Sequence, residues 1–215
     1  MKKYLLLTSA LFIGVFTTQA QEKSCNINFI NLESGINLSQ FNFSDSEITA
    51  FKNGSFSPSQ HQALSFGFNL KGDLDLMLGA AYDKYQVIGK SIDMSSSNLS
   101  YDLNYVSASL GLEYSFPVKD KISLLANGGI TYNYLLSGFQ NMGSSSYDLA
   151  DSDFEDNTYS YSIGTGILYQ MTDATGIYLK YDWRNTMDMK EKEANESYKL
   201  TSYVYSVGVR FNLAN

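Results

Sequence analysis

The 215-residue chain has little of what most catalytic and metal sites are made from. It contains one histidine, His61, and one cysteine, Cys25. A Cys/His zinc site and an internal disulfide framework are excluded, and enzyme classes built on clustered histidines are disfavoured. Charged residues make up only 17% of the chain, and acids exceed bases by 22 to 15. No basic patch stands out, so no nucleic-acid partner is expected. Beyond residue 20 no apolar run approaches the ~18 residues that a membrane-spanning helix requires. If the protein lives in a membrane, it must do so as a closed β-barrel, the other structure that satisfies its backbone without water.

What is present points to strands. Seventeen tyrosines and thirteen phenylalanines stand against two prolines and one tryptophan, a balance that suits a pleated, half-buried surface. The first twenty residues read differently. Lys2 and Lys3 precede an apolar stretch from Leu5 to Phe16, and Thr18-Gln19-Ala20 supplies small residues before a cleavage point. This is the pattern of a secretory signal peptide, which divides the chain into a leader, 1–20, and a mature domain, 21–215, beginning at Gln21. Cys25 is preceded by Glu22, Lys23 and Ser24 rather than by the small or leucine-like residues of a lipidation site, so a single free cysteine is expected there.

From Ile30 onward the chain alternates with a period of two, the signature of strands. Leu74, Leu76, Leu78, Ala80 and Tyr82 share one face, with Asp75, Met77, Gly79, Ala81 and Asp83 on the other. Leu110 and Leu112 lie opposite Ser109, Gly111 and Glu113, and Ile163 and Ile167 lie opposite Ser162, Gly164 and Gly166. Eight such segments can be counted. A soluble sandwich would show water a face rich in lysine and glutamate; here the second face is small. Small residues fit the crowded lumen of a narrow barrel. The apolar face ends in Tyr82, Tyr114, Tyr132, Tyr159, Tyr169 and Trp183, as the aromatic girdles of a membrane barrel do. An inside-out arrangement follows, with apolar side chains toward lipid.

The connections sort themselves in the same way. Three are tight, at Lys71–Asp73, Pro117–Lys121 and Thr172–Thr175. Four are longer, at about Phe41–His61, Gln86–Ser100, Gly138–Thr158 and Thr186–Tyr198. Tight and long connections alternate strictly, the plan of short periplasmic turns and long extracellular loops in outer-membrane barrels. The expected fold is an all-β, eight-stranded antiparallel up-and-down transmembrane barrel.

Several stretches resemble the outer-membrane β-barrel, or porin-family, proteins typical of Bacteroidota, which include a PorT-like branch. They are Gly35-Ile36-Asn37-Leu38-Ser39, the hairpin between Leu103 and Gly138 with Asn104-Tyr105 and Asn127-Gly128-Gly129, Gly164-Thr165-Gly166-Ile167, and Val207-Gly208-Val209-Arg210-Phe211. The resemblance implies an eight-stranded barrel in the outer membrane of a Gram-negative bacterium, with no catalytic residues to carry over. The last strand resembles the signal read by the barrel-assembly machinery, although Asn212 to Asn215 follow Phe211. Partners expected are outer-membrane lipid and lipopolysaccharide, with that machinery during biogenesis.

No cofactor, metal or catalytic residue is expected. His61, at the junction of the first long loop and second strand, has Ser59 and Ser65 nearby. A hydrolase needs a base held by a third group, and no local pattern supplies one, so an exposed loop histidine is expected. Asp148, Asp151, Asp153, Glu155 and Asp156 make an acidic loop whose spacing is not that of an EF-hand, and a solvated loop is expected. The more informative charges face inward: Glu33, Asp75, Asp83 and Glu113 on one side, Lys180, Asp182, Arg184 and Arg210 on the other. In a narrow lumen they should pair, because a stranded buried charge costs several kcal/mol. They form either a gated ion path or a polar plug, and the plug is the expectation. A non-enzymatic barrel for envelope structure, surface interaction or secretion and assembly follows, with a narrow pore for ions or very small solutes as the alternative.

Overall fold

The computed structural model describes residues 27–43, 52–90, 98–149, 157–187, 189–190 and 197–213. Eight long strands carry the architecture: β1 (Ile27–Phe43), β2 (Lys52–Lys71), β3 (Leu74–Lys90), β4 (Asn98–Lys119), β5 (Ile122–Met142), β6 (Asn157–Gln170), β7 (Thr175–Thr186) and β8 (Ser197–Asn212). Each pairs antiparallel with the next, and β8 returns to β1 in continuous register from Phe29 opposite Asn212 to Phe43 opposite Tyr198. The sheet is thereby closed into a barrel, which removes both edges. Two short pieces lie outside the ring, Ser145–Asp148 on the end of β5 and Met189–Lys190 on the start of β8.

Leu110 and Ile163 are 45% and 63% exposed, while Asp83 and Asp182 are at most 2% exposed. A water-soluble protein would reverse that order, and only a hydrocarbon surround makes it favourable. Phe68 is an exception on the outward register, buried near the short-turn end of the barrel. The three short connections are tight turns. Gly72 supplies the positive φ of the β2–β3 hairpin at 58°, a conformation that other residues rarely adopt. Asn69 donates its side-chain amide to the Gly72 carbonyl at 2.6 Å. The prolines sit where the ladder is irregular: Pro58 falls within a register shift between β2 and β3, and Pro117 borders one between β4 and β5. A bulge spares proline the hydrogen bond it cannot donate.

The long connections are shorter than the sequence suggests, because the strands continue past the aromatic girdle. β2 begins at Lys52, β3 runs to Lys90 and β5 to Met142. Part of the third connection is itself the short strand Ser145–Asp148, reached through Gly143 with φ 59°. The leader, Cys25, the acidic residues from Asp151 to Asp156, and residues 191–196 of the fourth loop lie outside the described residues.

Candidate functional site: the barrel lumen

Inward-facing side chains fill the barrel in three layers. At the short-turn end Leu125, Leu168 and Tyr178 form a buried apolar cluster, with Phe29 also buried. The Tyr178 ring lies across Gly208 and the Phe29 ring across Gly67, so that a Cβ at either glycine would overlap the ring. Backbone without side chains is what lets two aromatics close so narrow a cross-section. The Arg210 guanidinium stacks on Phe29 at 3.8 Å from the ring centroid. It donates through Nε to Asn31 at 3.0 Å and through Nη2 to Glu113 at 2.5 Å.

The middle layer holds the other charges. Lys180 pairs with Glu33 at 3.2 Å and lies 3.6 Å from Asp182. Arg184 donates to both carboxylate oxygens of Asp83, at 3.3 and 3.4 Å. Tyr178 donates its hydroxyl to Glu33 and Asn127 donates its amide to Asp182. Among the described residues Asp75 meets no cation in a salt bridge. It accepts from the amides of Asn28 and Asn69 at 3.4 and 3.3 Å, and stands opposite Glu113 in the β3–β4 register. Of the eight charges named from the sequence, Lys180, Arg184 and Arg210 thus each meet a carboxylate on another strand.

His61 corrects the expectation of an exposed loop residue. It lies within β2, is fully buried and joins the two central ion pairs. Its Nδ1 is 2.7 Å from Asp83 and its Nε2 is 3.1 Å from Glu33. Carboxylates only accept, so both contacts are hydrogen bonds when the ring carries both protons. The geometry follows from register: Gly35 and Asp83 are the cross-strand neighbours of His61 on β1 and β3. An unbroken odd-numbered inward series through His61, Ala63 and Ser65 was the signal in the sequence. The polar composition upstream of it hid the strand.

Facing the charged cluster is a wall of small residues, including Gly79, Ser109, Gly111, Gly129 and Ser162, leaving a chamber of about 110 Å³. A polar ladder crosses the same wall higher up, where Ser107 donates to Asn133 and Asn133 to Ser160. Above it the lumen turns apolar. Tyr85, Val87, Leu103, Tyr105, Leu135 and Leu200 form a cluster that Leu149 joins from beyond the short strand Ser145–Asp148. Leu149 is anchored there by its N–H, which donates to the Gly138 carbonyl at 2.8 Å. This second apolar layer was missed in the sequence, which suggested a polar filling throughout. Among the described residues no group of three potential ligands is arranged to hold a metal ion.

The model of the family described as outer membrane protein beta-barrel domain matches residues 19–183. The chain belongs to that family. The family's match spans β1 through most of β7, so the closing strand β8 is read from the structure. Among solved structures the chain is similar to Neisserial surface protein A, at 14% identity and TM-score 0.55, covering 86% of this chain and 96% of that one. It is also similar to the outer membrane protein OprG from Pseudomonas aeruginosa, at 13% identity and TM-score 0.54, covering 88% and 97%. At these identities the likeness is one of fold. No curated protein matches the sequence. Family and barrel neighbours together place the protein in the outer membrane of a Gram-negative bacterium, where barrels of this kind keep their short turns on the periplasmic side.

Proposed function

We propose that the protein is a closed, non-enzymatic barrel that serves the outer membrane through its outer wall and its extracellular surface rather than through its lumen. The observation that carries this is the double seal. A conducting path would have to cross two apolar layers, Leu125, Leu168 and Tyr178 below and the Leu103–Leu149 cluster above, as well as a ring of paired charges. An eight-stranded interior is only wide enough for side chains to fill, and here they leave a chamber of about 110 Å³ between the two apolar layers.

The absence of catalysis rests on His61. Both of its ring nitrogens face carboxylates, and its side-chain hydrogen bonds go to Glu33 and Asp83 rather than to a hydroxyl. A nucleophile–base pair requires one ring nitrogen to accept from that hydroxyl. The Gly35–Ser39 and Val207–Phe211 stretches support a place among the Bacteroidota-type porin-family barrels, a family that includes a PorT-like branch, with a role in envelope structure, surface interaction or secretion and assembly. Insertion by the barrel-assembly machinery belongs to the same proposal.

Purified full-length protein in planar bilayers tests the closed lumen. Wild-type protein is expected to give no sustained conductance. Steady, ion-selective channels would refute the seal and establish the narrow pore in its place.

A further inference from the structure

Six of the lumenal groups close a circuit. Lys180 meets Glu33 at 3.2 Å, Glu33 meets His61 at 3.1 Å, His61 meets Asp83 at 2.7 Å and Asp83 meets Arg184 at 3.3 Å. Asp182 stands between the two cations along β7 and returns the circuit to Lys180 at 3.6 Å. All six line the same chamber. Acidic and basic groups alternate around it, so a single proton decides its charge. Glu33, Asp83 and Asp182 stand against Lys180 and Arg184, and the sum is zero only when the His61 ring carries both protons. A ring with one proton would turn a bare nitrogen toward a carboxylate, which can only accept, and would leave one buried negative charge in excess. The other groups of this layer do not change the count. Tyr178 donates to Glu33 and Tyr85 lies beside Arg184, both as neutral phenols, and Glu113 is paired with Arg210.

The circuit sits at a break in the wall. Between β2 and β3 the residues pair one for one from Phe68 opposite Leu76 up to His61 opposite Asp83. Pairing then stops and resumes at Phe56 opposite Val87, so Ser57–Gln60 and Lys84–Gln86 are not paired across the seam. Pro58, which has no N–H to give, lies inside the gap. Among the described residues the hydrogen bonds near its upper end converge on Gln86, whose side chain accepts from Ser57 at 3.1 Å and whose carbonyl accepts from Ser39 at 3.5 Å. Behind the gap lies Asn37, the β1 neighbour of Ser59. It is fully buried, and among the described residues neither polar atom of its side chain has a hydrogen-bond partner. Leaving a buried amide unsatisfied is costly, and parting the seam would relieve it by admitting water. At this level the wall is held shut by side-chain charge in place of a ladder.

We infer that His61 is a proton-dependent clasp on the β2–β3 seam. Its doubly protonated ring, carried on β2, ties Glu33 of β1 to Asp83 of β3 and keeps the gap closed; loss of either ring proton turns one contact repulsive and lets the edges part between His61 and Phe56. The clasp does not rest on the lumen being sealed, since a conducting barrel could carry the same seam, so either reading can fail alone.

The test is NMR of full-length, 15N-labelled protein in lipid nanodiscs. At neutral pH both His61 ring nitrogens should show the shifts of a protonated imidazolium. As pH rises, loss of a ring proton and the onset of motion in the Ser59, Gln60 and Tyr85 amides should follow one titration curve, while the Leu110 and Ile163 amides stay rigid. His61→Gln leaves the circuit with one negative charge in excess and should make the seam mobile at every pH. Glu33→Gln/His61→Gln restores neutrality and should make it rigid again, with no dependence on pH. Glu33→Gln alone should leave His61 with a single ring proton at neutral pH and the seam closed, since the new amide can donate to the bare nitrogen. If His61→Gln does not fold, the wild-type titration and Glu33→Gln decide; if the wild-type ring keeps both protons to the highest pH reached, the variants do. A singly protonated wild-type ring at neutral pH, a seam that stays rigid after the proton is lost, or a double variant as mobile as His61→Gln would each overturn the clasp.

Discussion

The pair between Arg210 and Glu113 predicts an asymmetry that a simple count of contacts would not. Both side chains are nearly inaccessible, at 3% and 2% exposure, so removing one partner leaves the other desolvated. Breaking a buried pair from one side costs about 3–5 kcal/mol. The two sides of this pair are unequal. With Glu113→Gln, Arg210 keeps an acceptor at the same position, the Asn31 oxygen and the face of Phe29. Asp75, the cross-strand neighbour of Glu113, remains to offset its charge. The loss is then about the difference between a charged and a neutral hydrogen bond, about 1–2 kcal/mol. With Arg210→Met, Glu113 and Asp75 face each other on adjacent strands with no cation bonded to Glu113. Like charges directly opposite destabilise a sheet, and burial adds to that, so the full 3–5 kcal/mol is expected. The double variant Arg210→Met/Glu113→Gln removes the stranded charge and should recover at least half of the Arg210→Met loss. Urea unfolding of the refolded protein in lipid vesicles, read by the change in gel mobility between unheated and heated samples, measures all three. Equal losses from the two single variants, or less than 1 kcal/mol from Arg210→Met, would refute the view that this pair is dry and that Asp75 is coupled to it.

Three further outcomes are expected. Leu110→Arg should destabilise the barrel by about 2–4 kcal/mol if it lies at the bilayer midplane, a loss that shrinks in thinner bilayers, whereas Ser109→Arg should act by lumenal crowding and show no dependence on acyl-chain length in the same unfolding assay. A chain ending before Val207 loses six of the fifteen β1–β8 pairs, from Ser34 opposite Val207 to Phe29 opposite Asn212, and should be degraded or aggregate in the periplasm; its recovery as a heat-modifiable outer-membrane species would count against closure by β8. Leu149→Asp places a carboxylate in the upper apolar layer and should expel that residue from the lumen, detected as faster protease cleavage of the third extracellular connection in intact cells, with unchanged cleavage showing that Leu149 does not anchor it.

The sequence made the membrane half of the barrel legible and obscured the half above it. Between the girdles, hydrocarbon on one side and a cramped lumen on the other impose opposite chemistries on alternate residues, so Leu110 and Ile163 declare their face without help. His61 was misplaced because nothing near it obeys that rule: Ser57, Ser59, Gln60 and Gln62 give no apolar series. Their pairing instead depends on β1 and β3, where Asn37 meets Ser59 and Asp83 meets His61. The lumenal pairs were legible as a set of charges but not as partners, because Glu33 meets Lys180 across 147 residues, and that meeting is fixed by barrel closure and shear. The absence of a salt-bridge cation for Asp75 has the same source.

The upper apolar layer explains itself through a change of solvent rather than a change of fold. Along β3 the outward face is apolar from Leu74 to Tyr82, then becomes Lys84 and Gln86, while the inward face passes from Asp83 to the buried Tyr85 and Val87. β4 does the same in reverse: the outward Leu112, Leu110 and Val106 give way to Asn104 and Asp102, as the inward Ser107 gives way to Tyr105 and Leu103. Strand period and register continue unbroken through both changes. What inverts is the polarity assigned to each face, because above the girdle the outside meets water and the inside becomes the only place to bury apolar area. The phase flip at Tyr82 and Val106 therefore marks the extracellular membrane boundary from sequence alone. It also explains how one continuous sheet can be an inside-out barrel below that line and an ordinary water-soluble barrel with its own core above it. Leu149 then has a physical reason to fold back: the mouth of that upper barrel is the apolar surface it can cover.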